Sequence, residues 1–435
     1  MSPGPGAVFP ATLKTWLVDL VASIPPRGLG TLLELLLGTM LTPRGMISQA
    51  LLAITPRRSW QAYYWFVEHA QFPWISLVRA LCAIVQREFP EARHYLIIDD
   101  TLLFRSSKKA PDAAFRFDHV KRANRLRFVL CQQIVTLSAS ITDERGRFRA
   151  VPLLSLVVKA QGNPGRLSLA KALLGAVASQ FPAVAVVMDL WFIKRPLVLW
   201  AAQRDITVIG RVRHDSALFH FPEPAAPGKR GPPKKYGSQI TRADLDALPV
   251  HHACLAVYGG VRARWCGITC RPRILRGLAA RIVRVSMYDT GKQDWSPDRL
   301  LLSTDTTLSD EAILINYARR SATEPLFRDL KYTEGFQEMW MQTRKTLLRW
   351  LHIVQVGAAL VIMQSARPDP HLDALAPIGG WRKETRPSTP GLVKAALAGA
   401  FRYRAPLPLL GADWQTARKS RRLNPTGPPT GARAA

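Results

Sequence analysis

Between residues 94 and 212 the chain alternates apolar runs with amphipathic stretches in one order, and that order restricts the fold more than any other feature. His94–Asp99 (HYLIID) is apolar and β-branched and closes on carboxylates. Arg127–Ile141 and Phe148–Val158 follow as extended runs, separated by Thr142-Asp-Glu-Arg-Gly, the residues of a hairpin turn. Leu167–Gln180 repeats its apolar residues at helical spacing, and Ala183–Met188 reads as a buried strand closing on Asp189. Ile193–Arg204 is again helical and Ile206–Val212 a further strand. Three strands, helix, strand, helix, strand predicts a mixed α/β sheet with helices on its faces.

The flanking regions have a different texture. Residues 1–94 read as an all-helical N-terminal domain, expected to contact DNA, with apolar residues at three- and four-residue spacing through Thr31–Met40, Met46–Ile54 and Trp74–Val85. Thr42-Pro43 and Thr55-Pro56 supply helix-start signals, and the aromatics Trp60, Tyr63, Tyr64, Trp65 and Phe66 are expected in the core. Residues 95–213 and 304–365 form the two parts of the α/β core, and residues 214–303 interrupt it as a β-rich insertion with Gly259-Gly260 as a hairpin turn. Residues 366–435 form a basic, Pro-rich tail in which Gly391–Tyr403 is one helix and the last twenty residues are disordered.

Charge narrows the class of partner. The 435 residues carry 60 Lys+Arg against 31 Asp+Glu, a net +29, while 48% are hydrophobic. That excludes a disordered chain and argues for a polyanion, nucleic acid being the commonest. The helical N-terminus holds only +3 of the charge, residues 211–302, which take in most of the insertion, +9, and the tail +8. Within the insertion, Lys229, Arg230, Lys234 and Lys235 form a Pro/Gly-rich basic loop suited to DNA phosphates. The apolar runs fall short of a membrane span, the start lacks a signal peptide's basic and apolar regions, and five cysteines are too few for a disulfide scaffold. A cytoplasmic, nucleoid-associated protein without a membrane partner is expected. His251, His252, Cys254, Cys266 and Cys270 match no common structural-zinc spacing.

Three acidic positions stand where such a fold can gather them. Asp99 or Asp100 ends the first strand, Asp189 the fourth, and Glu324 lies on the returning helix. Strand ends of an α/β sheet open onto a ligand crevice. Carboxylates there, without a His or Cys cluster, favour Mg²⁺ or Mn²⁺, and two such ions can serve both oxygens of an in-line displacement at phosphorus. Tyr317, Arg320, Glu324 and Lys331 fit Y-x2-R-x3-E-x6-K. On one straight helix they span an arc of roughly 60°, a single face. Pro325, directly after Glu324, argues for a kink or a second helix beginning there. Arg344 and Arg349 would extend the basic face, and His119 lies before the second strand.

With the Asp99-Asp100-Thr101 triplet, Asp189 after a buried strand and the full Tyr317/Arg320/Glu324/Lys331 set, the chain resembles DDE-type bacterial insertion-sequence transposases with the Y-R-E-K signature over about residues 30–365. The resemblance implies a ribonuclease-H-like catalytic core with a β-rich insertion. It implies Asp100, Asp189 and Glu324 as catalytic metal ligands for two Mg²⁺ (or Mn²⁺) ions, with Asp99 as the alternative first ligand. It places Tyr317, Arg320 and Lys331 on transposon-end phosphates. The activity implied is metal-dependent cleavage at transposon ends and transfer of the 3′-hydroxyl into double-stranded target DNA by a homodimer assembled on DNA. The alternatives are a ribonuclease-H-like nuclease without strand transfer and an inactive DNA-binding derivative.

Overall fold

The computed structural model describes residues 8–24, 28–70, 74–118, 126–161, 165–224, 232, 234–375 and 388–411. His119, Lys229, Arg230 and the last twenty residues lie outside the described residues. The chain divides into two compact units, Met1–Glu88, Ser107–Pro111 and Arg328–Ala435 in the first, and Phe89–Ser106 and Asp112–Phe327 in the second. This division cuts across the segments read from sequence: residues 304–365 are shared between the units, and the N-terminal helices share a unit with the tail helix.

The first unit begins with α1 (Ala11–Ala22), α2 (Leu29–Met40), α3 (Ile47–Leu52), α4 (Trp60–His69) and α5 (Trp74–Glu88). The Thr-Pro pairs do not start helices: α3 begins after Met46 and α4 after Ser59. The aromatic cluster divides by helix face, Tyr63 and Phe66 being buried while Trp60, Tyr64 and Trp65 are exposed.

In the second unit β1 (His94–Phe104), β2 (Ala114–Phe117), β3 (Phe128–Thr142) and β4 (Phe148–Val157) precede α6 (Arg166–Val177), β5 (Val184–Met188), α7 (Arg195–Ala202) and β6 (Thr207–Val212). The β3–β4 turn is organised by Asp143, whose Oδ1 accepts the amide N–H groups of Arg145 (3.0 Å) and Arg147 (2.9 Å). The order β4-β3-β1-β5-β6, antiparallel over the first three strands and parallel over β1, β5 and β6, is the ribonuclease-H-like mixed sheet expected.

The insertion contributes β7 (Leu218–Phe219), α8 (Arg242–Asp246), β8 (His251–Leu255), β9 (Val261–Pro272), β10 (Ala280–Asp289), β11 (Asp294–Trp295) and β12 (Arg299–Ser303). Gly259 and Gly260 join β8 to β9 with φ of 74° and 75°, the left-handed region glycine tolerates. These strands continue the core sheet: β12 pairs antiparallel with β6, and β10 and β9 follow in order. One hydrophobic cluster joins Ile209, Trp265, Val283, Val285 and Leu301 with Ile313 and Leu314 of α9 (Asp310–Ala318).

The chain continues through α10 (Thr323–Tyr332) into α11 (Arg344–Ala366), α12 (Pro370–Leu375), α13 (Pro390–Phe401) and α14 (Pro406–Leu409). α11 is long and apolar enough to cross a membrane, a span that inspection of short apolar runs overlooks. Its most apolar window is 89% buried, as in the core helix of a helical unit. Arg349 is buried within it and donates to the Val67 and Glu68 carbonyls, so it does not extend a basic face. Lys394 of α13 meets Glu334 at 2.7 Å, both essentially sealed from solvent. Removing one partner of such a pair leaves a buried charge without compensation. Lys394→Ala should cost about 3–5 kcal/mol, read as a lower thermal midpoint, and Glu334→Gln combined with Lys394→Met should recover most of it.

Candidate active site

The pairing of β1 with β5 positions the first two carboxylates. These strands run parallel with Ile98 beside Met188, and Asp99 and Asp189 are the next residues along. Side chains paired in parallel strands share a face. Tyr95, Ala185 and Val187 on that face pack with Ile313 and Leu314 of α9. β1 does not end at the aspartates but runs on to Phe104 against β3; what ends before Asp99 is its pairing with β5. The crevice therefore opens between two parallel strands, as expected for such sheets.

Asp99 faces this crevice. Its Oδ2 stands 2.9 Å from the Thr323 hydroxyl and 3.3 Å from Arg320 Nη2, while its Oδ1 accepts the Asp100 amide N–H at 2.9 Å. Burial pushes its pKa up to about 6 against the pull of Arg320, and the Asp189 carboxylate adds to the rise. Asp189 Oδ1 accepts the amides of Trp191 (2.9 Å) and Phe192 (3.1 Å), which fixes the turn after β5.

Asp100, the first ligand implied by resemblance, lies on the other face of β1. Gln133 donates to its Oδ2, and Arg166 Nη1, from the first turn of α6, reaches its Oδ1 at 3.2 Å. Strand alternation allows only one of two adjacent aspartates into the crevice, and the register selects Asp99.

The returning segment is not one helix. α9 ends at Ala318, Arg319–Ala322 is a 3-10 turn, and α10 starts at Thr323. Pro325 thus occupies a first helical turn, where its missing N–H removes no helical bond. The single-face arithmetic for Tyr317, Arg320, Glu324 and Lys331 does not apply across this break. Arg320 nevertheless bridges Asp99 and Glu324, whose Oε1 is 3.6 Å from Nη1. Glu324 itself keeps 74% of its side chain exposed. Burial raises the Tyr317 phenol pKa; Arg320 and Arg211 oppose the rise, and Asp189 adds to it. Lys331 is half-buried and belongs to the first unit; Lys234 and Lys235 are exposed on the insertion loop.

Two features escape a reading by motif. Arg319 anchors the 3-10 turn: Nη2 is 3.0 Å from Glu91 Oε2, and its guanidinium lies over the Tyr95 ring at 4.3 Å and the Phe148 ring at 4.5 Å. A lone arginine beside a motif arginine carries no spacing signal. The second is a cavity of about 520 Å³ lined by Arg211, His214, Arg264, Trp295 and Arg299. Among the described residues Arg211 and Arg299 have no carboxylate partner, and both act electrostatically on Tyr317. Arg262 and Arg264, alternating with apolar residues at the start of β9, are the pattern that could have indicated it.

The donor set suits a hard divalent cation. Asp99 and Asp189 are carboxylates on one face, and burial, with repulsion from Asp189 adding to it, keeps Asp99 reluctant to ionise, the condition a cation relieves. Among the described residues no three His, Cys, Asp or Glu side chains are gathered as a cation cage.

A family model described as DDE superfamily endonuclease matches residues 27–272. The chain belongs to this family. The matched span includes Asp99 and Asp189 and ends before Tyr317, Arg320 and Glu324. Membership carries a nuclease or transposase role on a DNA substrate, and DDE superfamily endonucleases generally use divalent metal ions. No curated protein matches the chain.

The raised pKa of Asp99 fixes the sign of a pH effect in metal-free protein. Folding favours the protonated carboxyl, so its contribution is fully present below about 3.8 and is lost as pH rises through about 6. The difference corresponds to about 3 kcal/mol. Urea midpoints measured from pH 4 to 7 in EDTA should fall across this window, and Asp99→Asn should flatten that part of the curve.

Proposed function

We propose that the protein is a DNA transposase that cleaves at transposon ends and joins the resulting 3′-hydroxyl to target DNA. The observation that carries the proposal is the placement of Asp99 and Asp189 side by side at the opening of β1 from β5, facing the segment that bears Arg320 and Glu324. In this reading Asp99, Asp189 and Glu324 hold the metal, with Asp99 taking the position first assigned to Asp100. Bound divalent ions would supply an activated water or 3′-hydroxyl and offset charge at phosphorus.

The chain's own residues provide the rest. Arg320 balances Asp99 without a metal, and its Nε is buried with no acceptor among the described residues. An incoming phosphate oxygen would satisfy that N–H and draw the guanidinium from the carboxylate. Tyr317, which feels the charge of Asp189, and Arg211, which acts on Tyr317, would hold the adjoining DNA strand, with Arg299 and Arg264 continuing the contact into the insertion. Lys331 and the Lys234–Lys235 loop would add phosphate contacts. Joining two ends requires two active sites, hence a homodimer on DNA, acting at the nucleoid in the cytoplasm.

A nuclease lacking strand transfer uses the same cleavage step and is separated by product analysis. DNA carrying the sequences that flank the coding region should be nicked at the 3′ ends of terminal inverted repeats in Mg²⁺, and joined products should appear when target DNA is added; flanks without such repeats would count against the proposal. Nicking without joined products would favour the nuclease. Asp99→Asn, Asp189→Asn and Glu324→Gln should each abolish nicking while end binding in a mobility-shift assay persists.

A further inference from the structure

The two carboxylates of the crevice are connected behind the sheet by a ring of contacts. Asp99 Oδ1 accepts the amide of Asp100 at 2.9 Å. The Asp100 carboxylate, on the opposite face, accepts Gln133 and Arg166 Nη1. The Arg166 guanidinium lies 3.3 Å from the centroid of the Trp191 ring. Trp191 returns to the front, donating its amide N–H to Asp189 Oδ1 at 2.9 Å. β1 and β5 have no paired residues beyond Ile98 and Met188, so this ring bridges the two strands past the end of their ladder.

We propose that Arg166 is a positioning residue for the metal site, tying Asp100 to Trp191 so that Asp99 and Asp189 keep their separation and orientation. The inference rests on the reading of Asp99 and Asp189 as the ligands. Its physical basis is that a planar guanidinium can make a directed bond to a carboxylate while stacking on an indole face, which an ammonium cannot do equally well. Partners outside the ligand shell of a metal typically change affinity or activity 10–100-fold. Asp100 then acts through its carboxylate on the back of the strand, as the partner of Arg166.

The test is Mn²⁺ binding to the full-length protein, measured by electron paramagnetic resonance of free Mn²⁺, with thermal midpoints recorded in parallel. Asp99→Asn is the reference and should remove high-affinity binding. Arg166→Gln and Asp100→Asn should each retain binding, weakened about 10–100-fold, and Arg166→Lys should lie between Arg166→Gln and the unaltered protein. A purely structural role would lower the thermal midpoint and leave the affinity of the folded fraction unchanged. Affinity within twofold of the unaltered protein in folded Arg166→Gln overturns the proposal. Loss of binding in Asp100→Asn as complete as in Asp99→Asn also overturns it, making Asp100 a ligand. Unchanged binding in Asp99→Asn would instead overturn the ligand reading beneath it.

Discussion

The parallel pairing of β1 with β5 is the constraint on which the rest of the site depends. It brings two acidic side chains to the same face, with Asp99 buried. Such an arrangement is unfavourable by itself: burial and mutual repulsion both oppose ionisation, and Asp99 is pushed up to about 6. Arg320 compensates from the returning segment, and Arg319 next to it fixes that segment to Glu91, Tyr95 and Phe148. The acidic pair and the arginine over it are therefore parts of one electrostatic balance. A divalent ion and a phosphate group, arriving together, could take over both halves of it.

The core was legible in the sequence because hydrophobic periodicity records burial. Strands β3, β4, β5 and β6 and helices α6 and α7 fall within a few residues of the runs that indicated them, since each buries a face or a whole strand. The N-terminal helix starts were misplaced because Thr-Pro is a local signal, and the chain instead passes through short turns before α3 and α4. The insertion was visible as β-rich, but its continuity with the core was not. Pairing of β12 with β6 joins residues some ninety positions apart, and no local pattern encodes it.

The site was legible in residue type and less so in geometry. Asp189, Glu324, Tyr317 and Arg320, singled out by position and spacing, all belong to the unit that holds the crevice. The choice between Asp99 and Asp100 could not be made from a triplet alone, because alternation says that the two differ in face without saying which face is which. Only the register with β5 decides. Likewise Pro325 showed that a straight helix was untenable, and the structure resolves the break into a 3-10 turn that leaves Arg320 on Asp99 and near Glu324.

The shared sheet has a mechanical consequence. From β1 through β5, β6, β12, β10 and β9 the backbone hydrogen bonds are continuous, so the insertion is not a lobe hung on a flexible tether. A swing of the insertion relative to the carboxylates would have to break the β6–β12 ladder. Elastic twisting of the sheet is the motion left available. Force applied at Trp295 or Arg264 would travel as shear across three strands before reaching Asp189, linking the far strands of the insertion to the spacing of the acidic pair.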